Sequence, residues 1–229
     1  MDKNQNTNTT KLTLFDLRKE YTSPPLFKKD FNLEDPIAQF QDWFQQAQET
    51  EKGVEPNSMV VATCGKDLQP TSRYVLLKEI SKGGFVFFTN YNSRKAAQIE
   101  ENQKVSALFY WPGVNRSVRI EGDCHRIDEA ESEAYFDKRP LKSRISAIVS
   151  CQSQAVSEEE KEAMKARIEA DLVAAESGEK VVKRPVNWGG YRITPRRVEF
   201  WQGQRSRFHD RFVYQKLEDG TWKVDLLAP

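Results

Sequence analysis

The chain has 229 residues, with 35 Lys and Arg against 34 Asp and Glu and a formal net charge of +1. That length can bury a full core, and the near-neutral balance gives no global field toward nucleic acid or a membrane surface, so any anion binding must be local. No apolar run approaches the ~20 residues that span a bilayer and the N-terminus lacks a hydrophobic signal region, so a soluble, cytoplasmic protein is expected. Cys64, Cys124 and Cys151 are odd in number and form no CxxC pair, which suggests reduced thiols. With His125 and His209 the only histidines, no metal site is expected. The absence of GxGxxG and GxxxxGK loops removes support for Rossmann or P-loop nucleotide binding.

Residues 1–11 are polar and rich in Asn and Thr, and read as a disordered tail before a single domain over 12–229. Asp35 ahead of Pro36 starts a helix that places Ile37, Phe40, Phe44 and Ala47 on one face. From Ser58 the pattern changes to short apolar runs between turn residues, and SMVVATC, SRYVLLKEI and FVFFTNY read as a three-stranded meander. Ser93 opens a short helix, SRKAAQIEEN, and KVSALFYW and RSVRIEGDCHRI are strands around a turn at Pro112 and Gly113. Asp128 caps a helix carrying Tyr135 and Phe136 that Pro140 ends. Ser157 and Glu160 form a capping box for a charged helix to about Glu176. Four strands follow, WGGYRIT, RRVEFWQG, RFVYQKL and TWKVDLL, the last two joined through Asp219 and Gly220. About nine short strands with few helices predict a mainly β protein with helical additions, an antiparallel barrel rather than a parallel sheet.

The segment VEFWQGQRSRFHDR sets Arg205, Arg207, His209 and Arg211 at two-residue intervals. In an extended chain that spacing sends all four to one face, a row of cations that calls for an anion; the plain alternative is a solvated edge strand. Further basic groups are Arg73 with Lys78, Arg94 with Lys95, Arg116 with Arg119, and Lys138 and Arg139 with Lys142 and Arg144. Ser72, Thr89, Ser93, Ser143 and Ser153 lie near them. Guanidinium forks, hydroxyls and helix N-termini together hold phosphate monoesters, although any one cluster also reads as ordinary surface charge. Tyr135, Arg139 and Ser143, spaced at four and four, would share one side of a continuous helix, with Pro140 making the last turn irregular. A hydrolase triad at His209 and Asp210 is disfavoured, because neighbours on a strand face opposite ways and no GxSxG elbow occurs.

The motifs LRKEYT, SRYVLLK, FFTNYNSRKAAQI, YFDKRPLKSRI, SCQSQ, NWGGYRITP and VEFWQGQRSRFHDR occur in that order. With them the chain, from about Leu17 to the terminal LLAP, resembles the pyridoxamine 5'-phosphate oxidase family. The resemblance implies a homodimeric FMN-binding split barrel with flavin at the subunit interface. It also implies oxidation of pyridoxamine and pyridoxine 5'-phosphates to pyridoxal 5'-phosphate, with O2 reduced to H2O2. By motif matching, FMN contacts would come from the run Arg73, Tyr74, Val75, Leu76, Leu77 and Lys78, from Phe88 and Thr89, and from Arg94 and Lys95. Ser117, Gln152, Ser153, Trp188 and Arg211 complete that set. Substrate contacts would come from Arg18, Lys19, Glu20 and Tyr21, a segment resembling the one that closes over substrate, and from Lys78, Tyr135, Arg139 and Ser143. Arg207, Phe208 and His209 would join them, with Arg207 fixing the pyridine ring and His209 assisting as the catalytic pair.

The chain departs from the family pattern at Ser117, where Gln is usual, at Phe88, where Tyr is common, and at Arg144, Ser146 and Ile148 in place of Gln, Gly and Trp. These changes keep open an alternative, a non-catalytic or weakly active flavin or vitamer carrier or sensor. A nucleic-acid-binding barrel is disfavoured by the neutral charge.

Overall fold

Val105, Ala107, Phe109 and Trp111 are buried at alternate positions of one strand, the rhythm of a sheet with one face on a core. The structure, a computed structural model, describes residues 14–17 and 20–229; the expected tail over 1–11 and the candidates Arg18 and Lys19 lie outside the described residues. The strands are β1 (Ser58–Cys64), β2 (Pro70–Leu76), β3 (Glu79–Ser81), β4 (Gly84–Asn90), β5 (Lys104–Trp111), β6 (Arg116–Arg126), β7 (Trp188–Gln202), β8 (Asp210–Lys216) and β9 (Trp222–Leu226). The helices are α1 (Pro36–Thr50), α2 (Arg94–Glu101), α3 (Glu129–Lys138), α4 (Leu141–Val149) and α5 (Glu158–Glu176). All nine strands join one sheet in the order β2-β1-β5-β6-β7-β4-β3, with β8 on β7 and β9 on β8. Every pairing is antiparallel. Because β2 and β4 also approach one another, the sheet curls into a split barrel.

Helix α1 fills the concave side. The Asp35 carboxylate accepts from the Ile37 N–H at 2.8 Å and Pro36 occupies the first turn, as the sequence predicts. The Phe40 ring then meets Phe85 and Phe109 at 4.9 Å each and Trp111 at 5.8 Å.

Four expectations are corrected. SRYVLLKEI is two strands, because the Leu77 N–H bonds to the Asn57 carbonyl while the Lys78 N–H bonds to the Val86 carbonyl, so the chain changes neighbours between them. WGGYRIT and RRVEFWQG are one strand, β7, despite Pro195. Glu121 pairs with Arg197 and Gly122 with Pro195, and the bulge leaves Arg196 as the extra residue, the setting in which a sheet admits proline. The helix carrying Tyr135 ends ahead of Pro140 as expected, but Arg139 is extended and Pro140 opens a separate helix, α4, which the sequence reading missed, so Tyr135 and Ser143 do not share one helix. Asp128 and Ser93 precede helices without making side-chain caps.

The rings around Phe40 lead to a test. Phe40→Ala should lower unfolding free energy by about 3–5 kcal/mol, measured by urea denaturation at fixed protein concentration; a loss under about 1 kcal/mol would contradict the packing described.

Candidate functional site

Strands β2 and β4, the start of α2, helices α3 and α4, the loop after α4 and Trp188 at the head of β7 surround a cavity of about 860 Å³. One part of its wall is a cluster of partly desolvated cations. Arg73 Nη1 donates to the Val61 carbonyl at 3.1 Å and to Thr63 Oγ1 at 2.6 Å, and Gln98 Oε1 accepts from Thr63 Oγ1 and Thr71 Oγ1 at 2.6 Å each. Burial and the nearby Arg94 lower the Arg73 pKa. Lys95 Nζ donates to Thr89 Oγ1 and Gln152 Oε1, both at 2.9 Å, and burial, with a further push from Arg73, lowers its pKa to about 8. Among the described residues no carboxylate neutralises this group within ion-pair distance, so it is preorganised for an anion.

The second part is aromatic and basic. Phe88 stacks on Tyr135 at 3.9 Å and lies parallel to Trp188 at 5.4 Å, and the Arg139 guanidinium sits 4.6 Å from the Trp188 ring centre. Burial lowers the Arg139 pKa, and among the described residues its buried Nη1 has no hydrogen-bond partner. Lys78 and Ser143 line the same cavity. The helix break is what brings Tyr135, Arg139 and Ser143 together: each lies on a different segment of the α3–α4 corner.

Of the expected set, the first cavity gathers Arg73, Tyr74, Val75, Leu76, Lys78, Phe88, Thr89, Arg94, Lys95, Gln152, Ser153, Trp188, Tyr135, Arg139 and Ser143. Leu77 is not among them, since its side chain is buried in the core where the chain changes neighbours. Ser117, His209 and Arg211 line a second cavity, of about 440 Å³, on the outer face of β5, β6, β7 and β8. There the register sets Tyr110, Ser117, Trp201 and Arg211 in one rung across the four strands. Tyr21 packs edge-on against Trp201 and His209 at 5.7 and 5.5 Å. Glu20, Arg207 and Phe208 line neither cavity.

The expected single-faced row of Arg205, Arg207, His209 and Arg211 does not form. Residues Arg205–Arg207 make a 3-10 turn with Ser206 and Arg207 at φ 53° and 62°, and β8 begins only at Asp210. Of the other basic groups, Arg116 with Arg119 and the run from Lys138 to Arg144 disperse in part, while Arg73, Lys78, Arg94 and Lys95 gather in the first cavity. Arg116 stacks over Trp43 and donates to Gln202 and Gln46, Arg119 pairs with Glu199 at 2.5 Å, and Lys142 pairs with Glu169.

Sequence reasoning missed Glu199, a buried carboxylate that accepts from Arg119 on one oxygen and from Arg211 Nε at 2.9 Å on the other. It also missed the Thr63, Thr71 and Gln98 shell that holds Arg73. In both cases the partners sit on different strands, and only sheet register brings them together.

A curled antiparallel sheet with a basic, aromatic-walled cavity defines a split-barrel protein whose cavity suits an anion beside an aromatic ring. Residues 44–176 match the family model for pyridoxamine 5'-phosphate oxidase, and residues 188–229 match that for the pyridoxine 5'-phosphate oxidase C-terminal dimerisation region. The chain is 44% identical over 217 residues to a pyridoxine/pyridoxamine 5'-phosphate oxidase of Nostoc punctiforme, covering 95% of this chain and 99% of that one. It is 45% identical over 218 residues to the oxidase of that name from Aliarcobacter butzleri, covering 95% and 100%. Among solved structures, PhzG from Burkholderia lata in complex with tetrahydrophenazine-1-carboxylic acid superposes with a TM-score of 0.81 at 27% identity, over 90% of this chain and 99% of that one. The chain therefore belongs to the pyridoxamine 5'-phosphate oxidase family.

Glu199→Gln should weaken its bonds to two guanidinium groups and cost about 1–3 kcal/mol of stability. Thermal denaturation read against the parent protein checks this, and an unchanged midpoint would remove Glu199 as the anchor of Arg211.

Proposed function

We propose that the protein is an FMN-dependent oxidase that converts pyridoxamine and pyridoxine 5'-phosphates to pyridoxal 5'-phosphate while O2 is reduced to H2O2. The observation that carries this reading is Arg139, whose buried Nη1 has no partner beside a cavity that already holds a separate cation cluster. Two sets of donors in one cavity suit two phosphorylated ligands.

The donor chemistry fits FMN: Arg73, Arg94 and Lys95, with Gln152 and Ser153 from the following loop, would hold its phosphate and ribityl chain. FMN when bound supplies the hydride acceptor that no side chain offers. Lys78, Arg139, Tyr135 and Ser143 would bind the substrate phosphate. The Phe88, Tyr135 and Trp188 stack gives the site an apolar aromatic wall that limits water. Arg207 would lie over the substrate ring, with His209 beside the reacting substituent.

Arg207, His209 and Arg211 lie away from the first cavity in one chain. The match of residues 188–229 to a dimerisation region supports a homodimer. In that arrangement the outer-face residues of one protomer would complete the cavity of its partner.

The likeness to PhzG, which is in complex with a phosphate-free ring acid, admits a ligand of that kind; the buried Arg139 Nη1, without a partner among the described residues, favours the phosphorylated substrate. The purified protein is expected to be yellow, to bleach anaerobically with pyridoxine 5'-phosphate and to recover colour with peroxide release in air. A protein that stays yellow throughout is a carrier, and the oxidase reading fails.

Two variants separate the two ends of the cavity. Arg139→Ala should weaken phosphorylated substrate by about 1.5–3 kcal/mol, roughly ten- to a hundredfold in KM, with the FMN Kd unchanged. Lys95 is charged at pH 7 and loses its proton as pH rises through about 8. FMN affinity should therefore be full below that pH and fall above it, by at most about tenfold per pH unit. Lys95→Met should bind FMN more weakly and without that dependence, as read by flavin fluorescence quenching.

A further inference from the structure

We infer that His209 is held as the neutral tautomer protonated at Nε2 and acts in the oxidation as a hydrogen-bond donor, never as the proton acceptor. This inference rests on the oxidase reading for its functional half and on geometry alone for its tautomer. The backbone N–H of Gln204 donates to His209 Nδ1 at 3.0 Å. A backbone N–H has no lone pair to offer in return, so Nδ1 must be bare and the ring proton must sit on Nε2. Turning the ring by half a rotation would set its Cδ2–H against the same N–H and lose the bond.

The arrangement is built rather than incidental. Gln204 is fixed through its side chain as well, since Nε2 donates to the Pro24 carbonyl at 2.8 Å and to Asp210 Oδ2 at 2.6 Å. Asp210 Oδ2 also accepts from the Leu26 N–H at 2.9 Å. Between Gln204 and His209 the chain doubles back through Ser206 and Arg207, both left-handed, a conformation that costs of order 1–3 kcal/mol each at non-glycine residues and persists where surroundings enforce it. The imidazole is packed against Trp201 at 4.8 Å and Tyr21 at 5.5 Å. It lines the second cavity beside Ser117 and Arg211, and among the described residues nothing bonds to its Nε2.

The charges around the ring agree with that state. Arg207, Arg211 and Arg119 stand near the ring or along the cavity wall, opposed by Asp210 and by Glu199, which two of those arginines already engage. Tyr21 adds a phenol on the remaining side. Burial and Arg207 lower the His209 pKa, with Asp210 opposing in part. Asp210 gives its carboxylate to Gln204 and Leu26 and not to the imidazole, so it does not support an imidazolium by hydrogen bonding. Oxidation of an alcohol removes a hydride from carbon and a proton from oxygen; bound FMN would supply the hydride acceptor and water would take the proton. His209 contributes its Nε2–H to the substrate oxygen or nitrogen.

Only two histidines are present, so ¹⁵N-histidine NMR of the FMN-loaded protein tests the tautomer directly, with the exposed His125→Gln assigning the spectrum. Expected is a bare, pyridine-like Nδ1 and a protonated Nε2 for His209 from about pH 8 down through the ordinary imidazole range near 6.5. A proton on Nδ1, or an imidazolium at neutral pH, overturns the inference. Flavin absorbance of the same sample reports separately on FMN binding, so a failure of the oxidase reading is distinguishable. For the donor role, His209→Asn, which donates but takes no proton, should keep at least tenfold more kcat than His209→Asp; equal or reversed rates overturn it.

Discussion

The pairing of β6 along the length of β7 is the constraint on which the remaining geometry depends. β7 has fifteen residues, and β6 follows it from Gln202 back to Tyr191 through one bulge. Its opposite edge is divided: Trp188–Ile193 pairs with β4 and Arg197–Gln202 pairs with β8. The bulge at Gly122 and Pro195 marks the changeover. A continuous ladder on one edge allows a handover on the other without freeing backbone groups. Trp188 is thereby delivered to the first cavity while Glu199 and Trp201 are delivered to the second. One rigid strand sets the relation between the two sites.

Charge is handled differently at the two ends of that strand. On the outer face Glu199 is saturated by arginines, a closed network in which the buried carboxylate has its partners. In the first cavity the cations Arg73, Lys95 and Arg139 are bonded only to neutral groups or to none, and burial depresses the pKa of each. Desolvated cations without counterions are unfavourable in the free protein, and an anion placed among them would remove that penalty. The hydroxyls and amides of Thr63, Thr89, Gln98 and Gln152 hold the cations in place without neutralising them. The distinction between the two networks separates scaffold from binding surface more sharply than the mere presence of arginine does.

The sequence disclosed the periodic parts and concealed the registered ones. KVSALFYW alternates cleanly and is a strand with the boundaries read from it, and Asp35–Pro36 and Ser157 with Glu160 start helices as their capping chemistry dictates. Spacing failed wherever the chain bends. Arg205 to Arg211 looked like one face because the pattern is compatible with a strand, yet left-handed Ser206 and Arg207 turn it into a hook, and no residue type there announces it. Tyr135, Arg139 and Ser143 do meet, but at a proline-made corner rather than along a helix. Glu199 and Gln204 carry no local signal at all, since their partners are 80 and 5 residues away and are set by sheet register and by a turn.

The departures from the family pattern separate along the same line. Phe88 lacks the usual tyrosine hydroxyl, but its ring is engaged on Tyr135 and held in the stack with Trp188, so its contribution to the wall is apolar contact that a hydroxyl does not improve. Ser146 satisfies its hydroxyl within its own helix on the Lys142 carbonyl. Ser117 is different, because it occupies the rung between Tyr110 and Trp201 on the outer face of the sheet. A short side chain there leaves space that a longer amide would fill, and a bridging water can supply the lost hydrogen bond at little enthalpic cost. The aromatic wall tolerates exchange of polar atoms because stacking holds it, whereas the outer rung loses a longer polar side chain with no neighbouring group among the described residues that replaces it.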